Sequence, residues 1–188
     1  MRLEPLSVVL TENFTPNKKF YFISGNEVTL MEKVKNNIVD NYLKIEKASL
    51  KHIDNVDNFV DNAGLFEDKK IFLVNNCKGV EEETLIKLRN TDGIFIFSQE
   101  NTPKTKKIKS VFLKNTDSYL FDCYELDRSS KIKILNYFLK QFGLNIEEDI
   151  YWFLIEKLEN KYVFFENSLK KILKLDQKEI NLDNVKRL

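Results

Sequence analysis

Four runs of uninterrupted apolar residues constrain this chain more than any other feature: Phe20-Tyr21-Phe22-Ile23, Ile71-Phe72-Leu73-Val74, Ile94-Phe95-Ile96-Phe97 and Tyr119-Leu120-Phe121. A strand with one wet face alternates apolar and polar residues. A strand apolar at every position is covered on both faces, which is the situation of a parallel sheet between helices. The intervening segments have helical spacing: Leu30, Val34, Ile38 and Tyr42, then Leu85, Ile86 and Leu88, then Ile108, Val111 and Phe112. A weaker alternation at Ala48, Leu50 and Ile53 predicts a further strand. Val56, Phe59, Val60 and Ala63 predict a short helix closed by Gly64. Strand and helix alternate from Phe20 to Cys123, which predicts an α/β fold with an open parallel sheet flanked by helices.

After Leu126 the pattern is helical only. Ile132, Leu135, Phe138, Leu139 and Phe142 mark one helix, Ile150, Phe153, Leu154 and Leu158 a second, and Phe165, Leu169, Ile172 and Leu173 a third. Gly143 ends the first, Glu147, Glu148 and Asp149 suit the start of the second, and Asn160-Lys161 turns into the third. Asn181 and Asp183 cap a last helix. The expected organisation is an α/β domain over residues 1–126 and a small all-helical domain over 127–188.

Charge excludes some functions. Thirty Lys and Arg against 29 Asp and Glu leave no global field to attract nucleic acid or an anionic membrane, so any such contact is a local patch. No apolar run approaches the ~20 residues that span a bilayer, and Met1-Arg2-Leu3-Glu4-Pro5 is unlike a signal peptide, which points to a cytoplasmic protein without membrane contact. Cys77 and Cys123 form neither a CxxC pair nor a cluster with histidine, and read as buried thiols.

The turn after the first strand is where a parallel α/β sheet would cradle a nucleotide, so Ser24, Gly25, Asn26 and Glu27 are the residues to test. A phosphate cradle needs several glycines, a Lys and a Ser or Thr beside it. Here there is one glycine, an acid at Glu27 and no Lys before Lys33, so no nucleotide and no other cofactor is expected. Asn26 reads as the cap of the following helix, with Glu27 in its first turn. His52, Asp54, Asp57 and Asp61 read as a solvated helix face and not as a metal site; no metal is expected. With His52 the sole histidine and neither cysteine in electropositive surroundings, no catalytic apparatus is visible. Lys104, Lys106, Lys107 and Lys109 form a basic patch without interleaved aromatics, which reads first as a solvated helix end. Leu65 and Phe66 follow a helix-ending glycine and precede Glu67-Asp68-Lys69-Lys70. A loop leucine and phenylalanine are either packed under their helix or kept for a partner.

In order and spacing, Phe20 to Glu27, Leu65-Phe66 before Lys69-Lys70-Ile71-Phe72-Leu73-Val74, Phe138 to Ile146, Leu169-Lys170-Lys171-Ile172 and Ile180 to Val185 resemble the bacterial clamp-loader delta subunit family of DNA polymerase III. The resemblance covers nearly the whole chain, although no single motif is specific. It implies an AAA+-like domain without a functional nucleotide loop, a helical lid, and a role in binding and opening the DNA sliding clamp (the beta subunit) during replication without ATP hydrolysis by this chain. It places clamp binding on Ala63, Gly64, Leu65 and Phe66. Burying a leucine and a phenylalanine in an apolar pocket contributes ~1.5–3 kcal/mol each. Gly64 and Ala63 are smaller than the residues often found there. The chain ends near where the family's collar domain would begin, so it is expected to hold the clamp better than it joins other loader subunits, and to touch DNA indirectly or weakly. The alternative is a nucleic-acid-binding replication accessory protein using Lys104 to Lys109, whose affinity would fall steeply with salt.

Overall fold

A computed structural model describes residues 1–54, 56, 68–175 and 180–187. Two compact units divide the chain, Met1–Cys123 and Tyr124–Leu188.

In the first unit the elements run β1 (Arg2–Leu3), α1 (Pro5–Val9), β2 (Phe20–Gly25), α2 (Val28–Ile45), β3 (Ala48–Ile53), β4 (Lys69–Val74), α3 (Glu82–Leu88), β5 (Gly93–Glu100), α4 (Thr105–Lys114) and β6 (Ser118–Cys123). All strand pairings are parallel, in the order β1-β6-β2-β5-β4-β3. The apolar runs become the middle of the sheet, and β2 is buried at every position because β5 and β6 flank it and helices cover both faces. One face presents Phe20, Phe22, Phe72, Phe95, Phe97 and Leu120 to Leu85 and Leu88 of α3 and to Ile108 and Phe112 of α4. Phe112 stacks on Phe22 at 4.7 Å between ring centroids and meets Phe97 edge-on at 5.1 Å. The alternate residues, Tyr21, Ile23, Ile71 and Ile96, point to the other face. There α2 packs on β2, β5 and β6, and α1 packs on α2.

The predicted strands and helices of this unit that fall within the described residues are present. The edge strand β1 and the short helix α1 are additions that the sequence pattern did not predict. Arg2 and Leu3 pair with Leu120 and Phe121, and a two-residue strand leaves no period to detect. The expected helix from Val56 to Ala63, apart from Val56 itself, lies outside the described residues, as do Gly64, Leu65 and Phe66.

The second unit contains α5 (Arg128–Phe142), α6 (Glu148–Lys157), α7 (Tyr162–Ile172) and α8 (Leu182–Lys186). Asp127 caps α5 by accepting from the Ser130 amide at 2.7 Å, and Asn181 caps α8 through the Asn184 amide at 3.0 Å. Gly143 ends α5 in the left-handed conformation at φ 62°, the C-terminal arrangement that glycine adopts without strain. The inward face of α5 is Lys131, Ile134, Leu135 and Phe138, one position out of phase with the expected stripe at its start: Ile132 is only half-buried, while Lys131 is buried. The Lys131 ammonium donates to the carbonyls of Ile155 and Leu158 at the end of α6. These carbonyls have no partner within their own helix, and a cation suits the negative end of α6.

Candidate functional site

In an open parallel sheet, ligands bind beyond the carboxyl ends of the strands, where the chain's connections diverge to either side. Here that point is the end of β2, between β5 and β6. Ser24 pairs in register with Gln99 on one side and Asp122 on the other, and Gly25 pairs with Glu100 and Cys123. Gly25 is required by closeness, since a Cβ there would stand 1.7 Å from the Cys123 carbonyl oxygen.

A phosphate at this place would need the backbone N–H groups that open α2. Two of them, on Thr29 and Leu30, are already used. The amides of Asn26 and Glu27 both donate to the Cys123 carbonyl, at 3.1 and 3.2 Å. The Glu27 side chain folds back over the helix end, where it accepts from the amide of Thr29 at 3.2 Å and from that of Leu30 at 2.6 Å. It also accepts from the Thr29 hydroxyl at 2.8 and 2.9 Å. With 2% of its surface exposed, this carboxylate occupies the positive end of α2 as a phosphate would. Glu27, not Asn26, is therefore the cap of α2; the Asn26 amide is bound to a strand that arrives almost a hundred residues later. The residues present do not fit a nucleotide.

The rest of the strand-end cluster is polar and largely paired internally. Asp122 meets Lys109 at 2.6 Å and Arg2 at 3.1 Å. Lys109 also donates to Asn101 at 3.2 Å, and its side chain is 15% exposed. Ser24 is fully buried, and its hydroxyl oxygen has no partner among the described residues. Burial, then the carboxylates of Glu27 and Asp122, raise the Cys123 thiol far above the range where a thiolate forms. Burial pushes Cys77 up to about 12, and its thiol donates to the Ser98 carbonyl. Both cysteines are free and buried.

Of the four lysines in the predicted basic patch, the structure separates two from the others. Lys109 is held by Asp122, and Lys107 meets Glu81 at 2.8 Å. Lys104 and Lys106 are exposed at the start of α4. Among the described residues, no group of three or more His, Cys, Asp or Glu could hold a metal ion. Asp57 and Asp61, and the residues Ala63, Gly64, Leu65 and Phe66 on which the resemblance places an expected clamp contact, lie outside the described residues. Among those residues, no helix is long and apolar enough to cross a membrane.

Sequence reasoning missed a cleft of about 690 Å³ that opens beyond β4 and β5, with Lys78, Glu81, Gln99 and Lys104 among its lining. The signal available was Thr102-Pro103-Lys104-Thr105, a proline before a helix whose first turn holds lysines and no acid.

No family model matches the chain. A DNA clamp loader delta protein of Bacillus subtilis superposes with a TM-score of 0.59 over 90% of this chain and 57% of its own, at 16% identity. The chain has an AAA+-like fold. It accordingly spans little more than half the length of that clamp-loader protein. Domain III of the replication initiation protein DnaA of Thermotoga maritima aligns over 93% of this chain and 85% of its own, with a TM-score of 0.47 and 14% identity. In sequence, 163 residues are 28% identical to a RING finger domain and kelch repeat-containing protein of Dictyostelium discoideum, which is 84% of this chain and 15% of that protein.

Proposed function

We propose that this chain acts as a clamp-loader delta subunit, binding and opening the DNA sliding clamp in replication without hydrolysing ATP. The observation that carries the reading is the Glu27 carboxylate seated where a nucleotide phosphate would stand. An AAA+-like sheet whose nucleotide position is closed by its own side chain works through binding, not hydrolysis. The fold likeness to a clamp loader delta protein supports the reading, as do the ordered motifs from Phe20 to Val185. Residues 1–126 then serve as the AAA+-like domain without a functional nucleotide loop, and residues 127–188 as its helical lid. The partners are the clamp and the other loader subunits.

On this reading Leu65 and Phe66, behind Ala63 and Gly64, enter an apolar pocket on the clamp. Preferential attachment to the distorted ring shifts the clamp towards its open state. The test is a Leu65→Ala, Phe66→Ala double variant assayed for binding to the sliding clamp of the same organism. Two truncated anchors correspond to a loss of ~3 kcal/mol or more, a weakening of over a hundredfold, with the melting temperature kept. A folded double variant that binds the clamp like the parent protein would refute the assignment.

A further inference from the structure

We draw no further inference here: the strongest candidate, the polar row of Ser24, Gln99 and Asp122 across the carboxyl ends of β2, β5 and β6, belongs to the strand-end cluster already described, and nothing in the structure shows what it would hold.

Discussion

Replacing Glu27 by alanine tests whether α2 is closed by its own carboxylate. The side chain accepts from two backbone amides and one hydroxyl in a nearly solvent-free position. Loss of an N-cap costs ~0.5–2 kcal/mol, and each buried donor left unpaired adds ~1–3 kcal/mol. Releasing a carboxylate from a desolvated place offsets part of that sum, because burying the charge is itself costly. The net expectation is a destabilisation of about 2 kcal/mol, or roughly 8 °C in melting temperature for a unit of this size. The vacated amides then form an ordinary helix-end anion site. Sulfate should return on the order of 1 kcal/mol to Glu27→Ala through binding, beyond the general salting effect seen in the parent protein. Glu27→Gln, which keeps the shape and one acceptor, should fall between the two. The assay is thermal and urea unfolding of parent and variants with and without sulfate, and with ATP and magnesium. A Glu27→Ala protein within about 0.5 kcal/mol of the parent, or gaining no more from sulfate than the parent does, would refute the reasoning.

Gly25→Ala drives a methyl group to 1.7 Å from the Cys123 carbonyl, so β2 and β6 must separate; a loss above ~4 kcal/mol is expected, seen as failure to give a cooperative urea transition. Phe112→Ala removes the ring packed on Phe22 and Phe97 and should cost ~3–5 kcal/mol by urea unfolding. For alkaline pH, the folded chain keeps Cys77 protonated up to about 12 while an unfolded thiol loses its proton near 9.0. The stability from this group is therefore complete below pH 9, declines above it and is lost through about 12. Urea midpoints should fall across that window, less steeply in Cys77→Ala, and an unchanged slope would remove Cys77 as the cause.

What was legible in the sequence was whatever depends on neighbours along the chain. The apolar runs announce buried parallel strands, Gly143 a helix end, and Asn181 a cap, because each is a local rule. Glu27 is different: aspartate, asparagine and serine are the usual caps, and only the Cys123 carbonyl, brought in by β6, takes the Asn26 amide and leaves the next residue to close the helix. Lys131 misled for a similar reason. At a position spaced with Ile134, Leu135 and Phe138 a lysine argues against burial, until the carbonyls of Ile155 and Leu158 supply acceptors for it. The cleft likewise joins residues from Lys78 to Lys107 that share no motif. At Glu27 the sequence shows an acid where a phosphate cradle wants positive charge, and the fold adds that this side chain accepts from the Thr29 and Leu30 amides.

The position of β2 has a consequence for how the chain is made. Its partners on both sides, β5 and β6, are encoded after it, and the second of them ends only at Cys123. At ~5–20 residues per second, a ribosome leaves Phe20-Tyr21-Phe22-Ile23 without its final neighbour for several seconds. A nascent chain in that state presents an apolar strand with an open edge, the kind of surface that aggregates or recruits chaperones. Such long-range pairing also makes for slow folding. The burial that makes β2 the most protected strand once folded makes it the most vulnerable one during synthesis.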